Sequence, residues 1–223
     1  MTFFEELQKQ RWDDHRYYHH NRINQFLHLL SASCFIASYI LVFYYPAAAA
    51  LVGWLLAMVL RQTGHFFFEP KSYDEVSQTT HSYKESVKVG YNLKRKVVLL
   101  SIWALVPIVL FFEPTFFGIF TANTNISDIS DISDISEFVN NMAMIWLVVG
   151  LGAIVFRTVH LFVLMGVQSG FVWFSKIATD PFHDIKIYHK SMYYILKGEM
   201  YDNMDDWYED VSFENKAEFF KKL

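Results

Sequence analysis

Hydrophobic and polar positions separate into long blocks rather than the short alternations of a soluble domain. Apolar runs follow His28 up to Tyr45, fill most of Ala47–Glu69, cover Val97–Phe112, and resume at Met142 to continue to about Ala178. Pro46 and Pro70 punctuate the ends of the first two, and Pro107 lies inside the third. Runs of this length argue for helices that cross a bilayer, since about 20 residues at about 1.5 Å each cover the ~30 Å hydrocarbon layer. The pattern predicts an all-α, polytopic membrane protein with about four transmembrane helices.

Between the spans the chain is polar. Residues 1–18 set Phe3, Phe4, Leu7 and Trp12 among charges, which predicts a short interfacial helix. Asn21 is placed to cap the first span, leaving His19 in the loop before it. Residues 71–96 are polar and extramembrane. The period-three tract Ile126–Ile135 reads as low-complexity loop, because Ser and Asp favour turns and caps. The run from Met142 is too long for one crossing. It predicts one span that continues as a helix along or beyond the interface, with a helix restarted at Asp180 as N-cap and Pro181 at the first position. Residues 1–190 form the helical bundle, and 191–223 form an acidic, aromatic surface tail.

Composition agrees with this reading: 53% of the 223 residues are hydrophobic and 18% aromatic. A formal net charge of −4 argues against general nucleic-acid attraction. Cys34, the one cysteine, excludes an internal disulfide and a cysteine-based metal site. The polar, mixed-charge start does not resemble a cleavable signal peptide.

Charge also sets sidedness. With four spans both termini share one side, and neither the turn near Pro46 nor the loop 113–141 contains Lys or Arg. The side rich in Lys and Arg is therefore expected to be cytoplasmic. All nine histidines fall toward it. His28 lies 17 residues before Tyr45, His65 lies 18 after Ala47, and His160 lies 18 after Met142. At about 1.5 Å per residue these three reach one depth, giving a cytoplasmic histidine-rich face. Interfacial histidines that merely extend toward water are the plainer alternative. Helix periodicity alone groups His20, Asn24 and His28, whereas His19 reaches the same site only from the loop. Glu69 stands one turn after His65, where it ligates a metal, pairs with Arg61 or Lys71, takes up a proton, or is a plain interfacial carboxylate. Neutral imidazoles suit iron, zinc or copper. His81, His183 and His189 have no role assigned by spacing.

The pair His19-x4-Asn24-x3-His28 before one span and Gln62-x-Gly64-His65-x3-Glu69 at the end of the next resembles the membrane-bound 2-hydroxy fatty acid dioxygenases of fatty acid α-oxidation. The resemblance covers mainly residues 10–70, and Ser31-Ala32-Ser33 stands where the family has a proline. It implies an iron(II) enzyme that uses dioxygen to shorten a 2-hydroxy fatty acid by one carbon. Carried over, the metal ligands are His19, His28 and His65, joined by depth by His160. Asn24, Gln62 and Glu69 are the matching polar residues. Arg157 is available to orient an imidazole or to meet the substrate carboxylate. The implied partners are Fe(2+), dioxygen, a 2-hydroxy fatty acid and membrane lipid, in the endoplasmic reticulum or a bacterial inner membrane. Two rivals remain: another histidine-rich iron lipid hydroxylase, and a lipid-binding membrane protein without catalysis.

Overall fold

The structure is a computed structural model that describes residues 1–74, 77–120 and 132–202. Within these residues the chain is helical and no strand occurs. Helix α1 is Phe3–Asp13, α2 Arg22–Leu41, α3 Pro46–Phe67, α4 His81–Val87, α5 Leu93–Phe112, α6 Ile132–Met165, α7 Val167–Tyr188 and α8 Ser191–Leu196. Four of them, α2, α3, α5 and most of α6, are long and apolar enough to cross a membrane. The all-α, four-span architecture expected from the sequence is the one found.

The starts are fixed by caps. Thr2 and Glu5 form a reciprocal capping box on α1, and the Asn21 side chain accepts from the N–H groups of Ile23 and Asn24 at the start of α2. After Asp13 the helix widens into a π-helical turn, Asp14–Tyr18, closed by the His19 N–H on the Asp14 carbonyl at 3.0 Å. That turn buries His15, Tyr17 and Tyr18 and delivers His19 to the loop before α2. α1 is thus more than an interfacial float, since it packs along α7.

The spans are joined by polar groups placed among small residues. α3 contains a second π-helical stretch, Val52–Met58. There Ser31 donates to the Ala57 carbonyl at 2.7 Å, and before that stretch Ser38 donates to the Ala49 carbonyl at 2.7 Å. Short hydroxyl bonds of this kind hold helices together where lipid offers no hydrophobic drive. The Ser31 of the proline-less segment therefore bridges two spans. Trp54 and Trp146 occupy the core between α3, α5 and α6 with Val106, Leu110 and Ile145. Their indole N–H groups donate to the carbonyls of Trp146 and Trp103, so the aromatic core leaves neither donor unpaired. Val148, Phe156 and Val163 face outward, as a lipid-facing surface requires.

Two expectations from the sequence are corrected. The apolar run after Met142 is not one continuous helix, and Pro181 does not restart one. The break falls at Gly166, whose φ of +92° favours a residue without a side chain. α7 then folds back on α6 so closely that a Cβ at Gly170 would stand 2.3 Å from the Phe162 ring. Pro181 sits inside α7, and the Asp180 carboxylate pairs with Arg11 and Lys176 rather than capping. The helix also begins ten residues before Met142, so Ile132–Ile135 of the period-three tract are helical. The rest of that tract, the sequon at Asn125, and residues 203–223 of the tail lie outside the described residues. The described part of the tail is packed: α8 lies on α2, and Asp202 is buried against Arg22 and Gln25.

Candidate metal centre

Three histidines from three chain segments meet at the start of α2 and the end of α3. One ring nitrogen from each of His19, His28 and His65 lies within 4.8 Å of the other two. Their ring centroids are 4.1 Å (19–28), 4.9 Å (28–65) and 5.2 Å (19–65) apart. His28 is fully buried and His19 nearly so. Burial, and then the nearby His28 ring, hold His19 well below its ordinary pKa and keep it neutral, the form that ligates.

Each Nδ1 is already engaged. His28 Nδ1 faces the Asn24 carbonyl at 2.9 Å, and a carbonyl only accepts, so Nδ1 carries the proton. His65 Nδ1 faces the Glu69 carboxylate at 2.5 Å, with the same consequence. His19 Nδ1 lies 3.0 Å from the Tyr188 hydroxyl. The Nε2 atoms of His19 and His28 are buried and have no hydrogen-bond partner. Two orphaned imidazole nitrogens in one buried pocket are costly unless something binds them. With Nδ1 protonated, the lone pairs reside on Nε2, as they do when a hydrogen bond at the far nitrogen fixes a metal-ligating tautomer. The donor set therefore fits a transition metal that accepts neutral nitrogen, such as iron, zinc or copper.

The phenol of Tyr188 also lies 3.1 Å from His15 Nδ1, and His15 Nε2 faces Asp202 at 3.6 Å. A proton order consistent with the triad follows: His19 Nδ1–H to the Tyr188 oxygen, Tyr188 O–H to His15 Nδ1, and His15 Nε2–H toward Asp202. Tyr188, His15 and Asp202 were not singled out in the sequence as site residues. They come from α7, the π-helical turn after α1 and the segment after α8, and no spacing signal connects them.

The backbone around His19 is clamped as well. Asn24 Nδ2 donates to the Tyr18 carbonyl at 2.8 Å, and Gln25 Nε2 to that of His19 at 2.9 Å. Gly64 allows this. A Cβ there would stand 2.1 Å from Asn24 Oδ1 and 3.3 Å from His28 Cε1. The Gly of the Gln62-x-Gly64-His65 segment is thus a close-approach position between α2 and α3.

The remaining candidates are placed elsewhere. Glu69 binds His65 and orients its ring, with burial raising its pKa against the pull of Lys88 and Lys96. Gln62 turns toward α5, its Nε2 near Met58 Sδ at 3.3 Å. His160 is not in the triad. Its Nδ1 lies 2.9 Å from Arg157 and its ring stacks on Phe156. It lies off the depth expected from Met142 because α6 starts well before Met142 and is longer than a bilayer is thick. Arg157 binds the Val89 carbonyl through Nε and Nη2, tying α6 to the 88–90 loop rather than to the triad. His20 stacks on Tyr201, so the periodic grouping with Asn24 and His28 is not formed and the loop placement of His19 is. His81 meets the Tyr17 hydroxyl, and His189 the Lys186 carbonyl.

No family model, curated protein or solved structure matches this chain.

Proposed function

We propose that His19, His28 and His65 hold iron(II), and that the protein is a membrane dioxygenase that shortens 2-hydroxy fatty acids by one carbon. The observation that carries this reading is the convergence of three imidazoles, two with buried, unpartnered Nε2 atoms, at the ends of two membrane spans. The segments that supply them are those that resemble the 2-hydroxy fatty acid dioxygenases.

Iron(II) held there supplies a chelation point for an α-hydroxy carboxylate and the activation of dioxygen. The protein supplies the rest. Asn24, Glu69 and Tyr188 fix the three rings with Nε2 inward, Asn24 through its backbone carbonyl. The position at the span ends lets a polar head group enter while its acyl tail stays in lipid. In one balanced form, RCH(OH)COOH + O2 gives RCOOH + CO2 + H2O. All the electrons that dioxygen takes up then come from the acid, so no reductase partner is needed. The absence of Lys and Arg from 113–141 and from the turn at Pro46 supports a cytoplasmic orientation of the site, in the endoplasmic reticulum or a bacterial inner membrane. Cysteine labelling at Ser72 against Gly118, in a Cys34→Ser background, checks that sidedness.

The deciding experiment purifies the protein in detergent, loads iron(II) without oxygen, then adds oxygen and a 2-hydroxy fatty acid. The expected product is the acid one carbon shorter, lost together with bound iron in His28→Ala. Full iron binding and turnover in His28→Ala would overturn the assignment.

A further inference from the structure

α3 and α5 enclose an apolar crevice of about 210 Å³. α3 lines it with Trp54, Met58, Gln62 and Phe66, and α5 with Leu100 and Trp103. Two polar atoms in this wall are unmatched: Gln62 Oε1 is buried and accepts no hydrogen bond, and Trp103 Nε1 is buried and donates none. An orphaned acceptor in an apolar wall is costly unless a donor arrives to meet it.

One turn before Leu100 on α5 stands Lys96. It precedes Leu100 by four residues and Trp103 by seven, so all three share one face of α5. Among the described residues the Lys96 ammonium has no hydrogen bond and no ion pair. The neighbouring cations are engaged: Lys88 with Glu85 and the Tyr18 ring, Arg61 with Asp184, and Arg157 with the Val89 carbonyl. A half-buried ammonium that makes no ion pair, on the α5 face that lines an apolar crevice, is complementary to an amphiphile with one negative head.

We infer that this crevice and Lys96 form the binding subsite for a long-chain 2-hydroxy monocarboxylate, an inference that rests on the function proposed above. The acyl tail lies between α3 and α5. The carboxylate pairs with Lys96, and the 2-hydroxyl hydrogen is donated to Gln62 Oε1, one helical turn before His65. Lys96 takes the role that the sequence suggested for Arg157, whose guanidinium is already committed to Val89 and His160.

The test needs no metal. Trp54 and Trp103 line the crevice, so a 2-hydroxy fatty acid brominated along its chain quenches their fluorescence on binding. The matched brominated 1,2-diol, with an alcohol in place of the carboxylate, is the control. The acid should quench saturably and the diol bind at least ~10-fold more weakly, the scale of one charge-assisted contact. Lys96→Gln should lower the acid to the level of the diol, and Lys96→Arg should restore it. Equal quenching of the unaltered protein by acid and diol would overturn the subsite whether or not Lys96→Gln folds. So would an unchanged acid affinity in Lys96→Gln. Failure of the proposed oxygenation, with no iron or no shortened product, leaves this binding readout intact, so the two failures are distinguishable.

Discussion

The Tyr188 phenol oxygen lies 3.0 Å from His19 Nδ1, joining the end of α7 to the one histidine of the triad that no helix holds. His28 and His65 are oriented from within their own helices, by the Asn24 carbonyl and the Glu69 carboxylate. His19 depends on a residue 169 positions away. Tyr188 is buried, so its hydroxyl cannot be replaced by solvent without disturbing the core. Tyr188→Phe should leave the fold intact and weaken iron binding by about 10–100-fold, the usual cost of losing such a partner. Chelator competition measures it, and an unchanged affinity would show that the loop alone holds His19.

Gly64→Ala should be among the most damaging small substitutions in the protein. The new methyl would meet Asn24 Oδ1 at 2.1 Å, and Asn24 cannot swing away without releasing the Tyr18 carbonyl. Overpacking of this kind costs about 1–3 kcal/mol. The expected result is a lower unfolding temperature together with reduced iron content. Combining Gly64→Ala with Asn24→Ala removes the clash, so the two losses should be less than additive in thermal unfolding.

Glu69→Gln and His65→Ala should separate by degree. On the proposed assignment His65→Ala removes an iron ligand and should abolish stoichiometric iron. Glu69→Gln keeps an acceptor for His65 Nδ1 but removes its charge, so affinity should fall by about 10-fold with stoichiometry retained. If Glu69→Gln lost iron as fully as His65→Ala, the carboxylate would itself be a ligand.

His160→Ala should retain full iron, because its partners are Arg157 and Phe156. Arg157→Ala should instead destabilise the protein by roughly 2 kcal/mol, since it leaves the Val89 carbonyl short of its charged donor. Iron titration beside thermal unfolding of each variant checks both statements.

The polar loop before α4 should detach in acid. Asp74 is buried and takes hydrogen bonds from Arg16 at 2.6 Å, Lys84 at 2.6 Å and Ser77 at 2.7 Å. Burial alone would raise its carboxyl, but these bonds outweigh it and hold the pKa below the ordinary 3.8. A depressed carboxylate stabilises fully above its unfolded value and loses that contribution as pH falls toward the folded one. The loss should therefore begin near pH 4 and deepen below it. Asp74→Asn should cost roughly 3 kcal/mol at neutral pH and flatten the acid limb of the unfolding curve.

The sequence by itself determined the class of the fold and the core of the site. The length of an apolar run against the thickness of a bilayer is one-dimensional arithmetic, and it placed four spans. Asn21 could be read as a cap because capping depends on local chemistry, and that cap put His19 in the loop. His28 and His65 were legible from their position at span ends. Only the tertiary structure decided what closes the site. The reversal at Gly166 turns a run that reads as one long helix into two that fold back on each other, because a positive φ at a single residue redirects everything after it. That reversal lays α7 along α1 and α2 and brings Tyr188 to His19. The same effect explains His160. Counting residues from Met142 assumed where the helix begins, and ten further helical residues moved the histidine out of register. Asn24 and Gly64, placed by motif but without a role, acquired one only when α2 and α3 packed, because a missing Cβ matters only beside the atom it would strike.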